Sequence, residues 1–332
     1  MKKILLIATG GTIASRYTPE GLSPSIAGEE MLSYCPDFGT FCTVDSIQPF
    51  CLDSTNIEPD HWLIMARAIE DNYDKYDGFV IAHGTDTMAY SAAALSYLIQ
   101  SSPKPIVITG SQKPMGFPSS DAISNLTDSL RFASHDRAHG VSIVFGGKVI
   151  CGTRAKKEYS HSYNAFSSIN YPVIATVNDA RITFFIDDKA DISVPVFYHN
   201  VNKSVVLLKL IPGVSGAMIR ALIPHCDAVI IESFGVGGIP EYEGFKAGVR
   251  DFVAAGKLVI MATQVTNEGS DMSIYQVGKA IKEELALPES YDMTLEATVA
   301  KTMWALANSE GPEDFKKLFY TPVNHDLMWV PV

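Results

Sequence analysis

No stretch of this sequence is apolar for long enough to cross a bilayer, so a membrane-spanning role is excluded. Positive charge is also scarce. Lys and Arg number 26 against 37 Asp and Glu, a formal net charge of −11. A chain this acidic repels phosphate backbones, which excludes nucleic acid as its main partner. The five cysteines (Cys35, Cys42, Cys51, Cys151 and Cys226) form no Cys-x-x-Cys pair and no Cys/His grouping with zinc spacing. They read as free thiols of a reducing, cytoplasmic compartment, and no metal site is expected. Neither GxxxxGK[ST] nor GxGxxG occurs, so the two common phosphate-cradling loops are missing and no cofactor is expected. Glycine (24) and proline (18) sit near average usage, which leaves no composition for a fibre or a disordered chain. Internal repeats and low-complexity segments are absent too.

What remains is a chain of 332 residues, 47% hydrophobic, in which short aliphatic runs alternate with helical patterns. The runs predict strands at Lys3–Ala8, Gly78–His83, Ile106–Thr109, Val141–Phe145, Val205–Leu210, Ala228–Ser233 and Leu258–Thr263. Several are apolar on both faces, as in a parallel sheet covered by helices. The first run spans only Ile4–Ala8, which suits a strand better than an export leader. Between the runs, "EPDHWLIMARAIEDNYDKYDG" puts Trp62, Ala66, Ile69 and Tyr73 on one face, with Pro59 in the first turn. "TMAYSAAALSYLIQ" and "SSDAISNLTDSLRFASH" read as further helices, the second with serines placed to cap it. The expected architecture is α/β. A larger N-terminal domain, 1–186, carries a mostly parallel sheet flanked by helices. A linker over 187–203 leads to a smaller C-terminal α/β domain, 204–332.

Three stretches can carry chemistry. "LLIATGGTIAS" ends a strand on Thr9-Gly10-Gly11-Thr12. A tight turn explains it, but glycines at a strand's carboxyl end also let the backbone approach a ligand, and a hydroxyl there can be a nucleophile. "GFVIAHGTDTMAY" runs from a strand through Gly84-Thr85-Asp86-Thr87 into a helix. Thr85 or Asp86 can cap that helix, and Asp86 can equally grip a substrate ammonium. His83 reads as buried support rather than a base. "GTRAKKEYSHSYNAFSSIN" offers Lys156 and Lys157. A desolvated lysine beside a hydroxyl can take its proton, and sequence alone does not say which lysine faces inward. His135 and His139, four apart, lack a metalloprotease glutamate and read as histidines at a helix end. "FGVGG" (234–238) reads as a loop or subunit contact.

"TGGTIAS" (9–15), "LDSTN" (52–56), "HGTDTMAYSA" (83–92), "VITGSQKP" (107–114), "GTRAKKEYSHSYNAFSSIN" (152–170), "ESFGVGG" (232–238) and "YDMTLEATVAK" (291–301) together resemble the bacterial-type asparaginase/glutaminase family. The likeness is greatest to its cytosolic type I L-asparaginases, and spans nearly the whole chain. It implies two α/β domains and a homodimer or homotetramer with active sites at the intimate dimer interface. The implied reaction is metal-free hydrolysis of the L-asparagine side-chain amide to L-aspartate and ammonia, with scope for minor glutaminase activity. Carried over by position, Thr12 is the nucleophile and Thr85, Asp86 and Lys157 form the supporting cluster. The resemblance places Gly11, Ser54, Thr55, Asp86 and Ser111 at the substrate. Ser54 would meet the α-carboxylate and Asp86 the α-ammonium. An ammonia-supplying amidotransferase subunit and a non-catalytic amino-acid sensor are the other roles this resemblance permits.

Two positions depart from the pattern. Many relatives carry a tyrosine on the loop after TGGTIA, where "RYTPEGLSP" has Leu22; Tyr17 comes too early in register. Some mammalian relatives use a tyrosine from the C-terminal domain instead, and Tyr275 aligns with it. The type I allosteric site uses an arginine where this chain has Glu232, so that form of allostery is expected to be absent.

Overall fold

The computed structural model describes residues 1–187 and 194–329. The chain divides into two compact units, Met1–His199 and Asn200–Val332.

The first unit runs β1 (Lys2–Ala8), β2 (Ser15–Thr18), β3 (Gly21–Pro24), α1 (Gly28–Ser33), β4 (Cys42–Ile47), α2 (Pro59–Glu70), β5 (Gly78–Ala82), α3 (Met88–Leu98) and β6 (Ile99–Gln100). It continues through β7 (Pro105–Thr109), α4 (Ala122–Ala133), β8 (Gly140–Phe145), β9 (Lys148–Cys151), β10 (Ala155–Lys157), β11 (Phe166–Ser168), β12 (Ala175–Asn178), β13 (Arg181–Phe184) and β14 (Val196–Phe197). Eight strands form one sheet in the order β13-β12-β9-β8-β7-β5-β1-β4. The five from β4 to β8 are parallel, and β9, β12 and β13 extend them antiparallel.

The parallel strands are apolar throughout because both faces are covered. Ile4, Leu6, Ala8, Val80, Ala82 and Val107 join one core with Leu126 and Leu130 of α4. Side chains alternate along a strand, so Leu5, Ile7, Phe79 and Ile81 face the other layer, and all four are buried. Helix α3 is buried along nearly its whole length, which accounts for its lack of a polar face. The helix expected to reach Tyr73 stops at Glu70; Tyr73 lies in the following 3-10 turn, still buried.

The second unit runs β15 (Val205–Lys209), α5 (Gly216–Leu222), β16 (Ala228–Ser233), α6 (Phe245–Ala254), β17 (Leu258–Thr263), α7 (Gln276–Leu285), α8 (Leu295–Ala307) and α9 (Pro312–Tyr320). Its three strands are parallel in chain order. The fold is therefore mixed α/β, with a large, mostly parallel sheet in the first unit. Within the 187–203 stretch read as a linker, β14 pairs with β6 of the first unit, and 188–193 lie outside the described residues. No helix among the described residues is long and apolar enough to cross a membrane.

Helix α4 carries a pH-sensitive group. Burial pushes the Asp128 carboxyl up from 3.8 to about 6, opposed by Arg131 and assisted by Asp179. Between those values the folded chain binds more protons than the unfolded chain. Stability therefore falls as pH rises through the window, and the loss is complete above about 6. Discounted for partial exposure, Asp128→Asn should stabilise the protein by roughly 1–2 kcal/mol at pH 8 and by almost nothing at pH 3.5. Thermal melts at the two pH values check this; an equal gain at both would contradict it.

Candidate active site

The strand order places the site. From β1 the chain goes to β4 on one side, then returns to β5 on the other. Ligands bind in open α/β sheets beyond the carboxyl ends of strands at such a reversal. The turns after β1, β4 and β5 meet there. Gly11 N–H donates to Leu52 O at 2.8 Å, Leu52 N–H to Thr9 O at 3.0 Å, and Thr9 N–H to Ala82 O at 3.0 Å.

The glycines of "TGGT" are forced by this crowding. Gly11 has φ 74° and ψ −177°, a region open in practice to glycine alone. A Cβ there would lie 2.2 Å from the Gly84 nitrogen, and one on Gly84 would lie 2.6 Å from Ser54. Gly11→Ala should therefore cost about 3 kcal/mol or more and abolish activity with it, read by melting temperature and ammonia release. A variant that melts with the wild type would contradict this packing.

The two threonines of the turn differ in what they touch. The Thr9 hydroxyl is buried and donates to Ala82 O at 2.9 Å, so it is structural. Thr12 opens a short 3-10 turn, Thr12–Ala14, and its side-chain hydroxyl has no hydrogen-bond partner among the described residues. On β10, Lys156 and Lys157 point to opposite sides of the strand. Lys157 takes the inward side. Its Nζ donates to Thr85 Oγ1 at 2.8 Å and to Asp86 Oδ1 at 2.5 Å, and its side chain is 17% exposed against 55% for Asp86.

Ser54 is buried and accepts from Asp86 N–H through its Oγ at 3.3 Å, while Thr87 Oγ1 donates to Ser54 O at 2.8 Å. Thr55 is exposed and donates its hydroxyl to Asp53 Oδ1 at 2.8 Å. Ser111, after β7, is buried with its Oγ bonded to Lys113 O. The expectation that Thr85 or Asp86 caps the next helix is corrected: α3 has Thr87 at its N-cap with no side-chain cap bond, since Thr87 is turned to Ser54. Ser54, Thr85, Asp86 and Lys157 are thus joined by hydrogen bonds, and the Gly11 and Gly84 turns touch beside them.

His83 lies directly behind. Its Nδ1 donates to Gly84 O at 2.6 Å, and its Nε2 accepts from Ser91 Oγ, which accepts from Trp62 Nε1. Burial lowers its pKa to about 4, with the Gly84 bond opposing, so the ring stays neutral near pH 7 and braces the turn.

Tyr17 on β2 pairs across the hairpin with Leu22 and packs against Phe117, the tilted rings 5.0 Å apart, and is largely exposed. Tyr275 belongs to the second unit, where it precedes α7 and is 63% exposed. His135 and His139 both lie past the end of α4; the His135 ring packs on Phe184 at 4.9 Å. No group of three or more His, Cys, Asp or Glu able to hold a metal is found among the described residues. Sequence reasoning missed Asp121 and Asn125, which tie down the loop after β7. Their spacing, four apart at a helix start after "TGSQKP", was the available signal.

Comparison with known proteins decides the family. The Asparaginase N-terminal family model matches residues 3–189, and the Glutaminase/Asparaginase C-terminal domain model matches 204–319. The chain belongs to the asparaginase family. Among curated asparaginase-family relatives, it is 38% identical over 320 residues to "L-asparaginase" of Thermococcus kodakarensis, covering 95% of this chain and 96% of that one. It is 30% identical to "L-asparaginase 1" of Escherichia coli, covering 95% of each chain. It is also 31% identical to a glutamyl-tRNA(Gln) amidotransferase subunit of Pyrococcus abyssi, over 97% of this chain and 76% of that one. Among solved structures, the thermostable L-asparaginase from Thermococcus kodakarensis superposes with a TM-score of 0.92 at 35% identity, covering 99% of this chain and 100% of that one.

Proposed function

We propose that this protein is an L-asparaginase of the type I kind, hydrolysing L-asparagine to L-aspartate and ammonia in the cytoplasm. The observation that carries the proposal is the grip of Lys157 on Thr85 and Asp86, beside a turn whose Thr12 hydroxyl has no partner among the described residues. Thr12 Oγ attacks the side-chain amide carbon of asparagine. Its proton passes by way of Thr85 and Lys157 to the departing nitrogen, which leaves as ammonia. Water then hydrolyses the aspartyl ester on Thr12 and restores the hydroxyl. The Thr12 backbone amide and backbone amides of the Thr85 region stabilise the oxyanion, each worth on the order of 10²–10³ in rate. Ser54, paired with Thr55 at the substrate, receives the α-carboxylate, Asp86 the α-ammonium, and Ser111 lies at a further pocket position. Tyr275 stands in for the absent loop tyrosine, in a homodimer or homotetramer whose intimate interface completes each site.

The amidotransferase relative favours a second reading, ammonia supply to an RNA-binding partner. Ammonia release by the purified chain, supplied with free L-asparagine or L-glutamine, separates the readings. The asparaginase reading expects turnover of asparagine by the chain alone, with slower turnover of glutamine; one methylene gives about 1–3 kcal/mol of discrimination. Turnover only with a tRNA-binding partner supports the second reading, and asparagine binding without ammonia release supports a sensor.

Regulation follows from Glu232. It is nearly buried at the end of β16, with Lys209 Nζ at 3.7 Å. A carboxylate there repels an amino-acid carboxylate, so the rate should depend hyperbolically on asparagine; a sigmoidal curve would contradict this.

A further inference from the structure

The loop after β7 touches both halves of the catalytic machinery. Met115 N–H donates to Ile13 O at 3.3 Å, next to Thr12. Gln112 Nε2 donates to Ser162 O at 3.0 Å and Tyr159 O at 3.4 Å, in the loop that follows Lys157. Tyr163 OH donates to Ser119 O at 2.5 Å, a second tie between the same two loops.

One buried carboxylate holds this loop. Both oxygens of Asp121, 7% exposed, accept from Gln112 N–H at 3.0 Å, and Oδ1 also accepts from Lys113 N–H at 3.1 Å. Asn125 lies one turn on in α4. Its Nδ2 donates to Gly110 O at 2.9 Å and to Asp121 Oδ2 at 3.1 Å, and its Oδ1 accepts from Gly146 N–H at 2.9 Å. The pair therefore grips the chain on both sides of Ser111. The Gln112 N–H points at Asp121, and in a planar trans peptide the Ser111 carbonyl must point away from it. That carbonyl has no donor among the described residues. A buried acceptor left open is costly unless it serves something else.

We propose that Asp121 is a positioning residue for amide cleavage, holding the Ser111 loop in one register with the Thr12 turn and the Lys157 strand. The inference rests on the asparaginase reading. Asp121 sits at the N-cap of α4 yet makes no cap bond there, so its carboxylate is committed to the loop. It lies outside the Ser54–Asp86 turns that receive the amino-acid end. Its effect therefore falls on the amide end, where asparagine and glutamine differ.

The test is Asp121→Asn, whose amide nitrogen faces donors where an oxygen accepted before. The readout is the ratio of kcat/KM for asparagine to that for glutamine, from ammonia release on one preparation, so that the folded fraction cancels. The ratio should fall fivefold or more, because a loosened loop admits the longer amide. A smaller change, with both rates reduced in proportion to the folded fraction, would show that Asp121 serves folding only. If Asp121→Asn does not fold, Asp121→Ser replaces it; serine can cap α4 but is too short for the loop amides. A wild type inactive on both amides overturns the asparaginase reading and this inference together, whereas an active wild type with an unmoved ratio overturns the inference alone.

Discussion

Thr12→Ala is expected to lower kcat for ammonia release by at least about 10³-fold, with the protein still folded. The magnitude follows from what a nucleophile contributes when its neighbours remain; activated hydroxyls in other hydrolases cost this much or more when removed. Folding should survive because the Thr12 hydroxyl bonds to no described residue. The turn is held instead by the Gly11 amide on Leu52 and the Ala14 amide on Gly11. Thr9→Ala would do the opposite. It strips a buried bond to Ala82 O and so lowers stability rather than chemistry. The two substitutions, three residues apart, distinguish nucleophile from scaffold.

Lys157→Met is expected to reduce kcat by about 10²–10⁴-fold, the usual contribution of a positioned proton-transfer group, while KM changes by less than about threefold. Methionine keeps the volume of the chain inside β10 but can neither bond Thr85 Oγ1 nor carry its proton. Asp86 survives with its carboxylate half exposed, free to meet a substrate ammonium. Stability should change little, since the partner of the lost ion pair faces solvent and such pairs contribute about 0–1 kcal/mol. Steady-state kinetics on asparagine, with a melting curve for each variant, reads both effects. A large rise in KM with kcat intact would move Lys157 from chemistry to binding.

Sequence revealed the centre of this fold more readily than its rim. β1, β5, β7 and β8 are apolar on both faces because helices cover both, and such runs stand out as strands. The outer strands carry no such mark. Lys148–Cys151, Ala155–Lys157 and Arg181–Phe184 are three or four residues each, and a lysine or arginine in each interrupts the apolar run. The hairpin of β2 and β3 lies in "SRYTPEGLSP", which reads as loop because most of its residues are exposed. At the candidate site, residue types and motif order brought Thr12, Thr85, Asp86 and Lys157 forward. The reasons for preferring Thr12 to Thr9, and Lys157 to Lys156, lie in partners that only folding supplies: Ala82 O for one threonine, Thr85 and Asp86 for one lysine. Asp121 drew no attention in the sequence because its work is done on a loop nine residues earlier, through main-chain amides that have no sequence signature.

Thr12 and the Lys157–Thr85–Asp86 cluster are expected to act as one device on one substrate bond. The most direct measurement is kcat for asparagine in Thr12→Ala, Lys157→Met and the double variant, under one set of conditions. Groups that work as a unit fail as a unit, so the double variant should be scarcely slower than Thr12→Ala alone. Losses that multiply, with the double variant slower by the product of the two single effects, would show that the lysine and the threonine do not share a step.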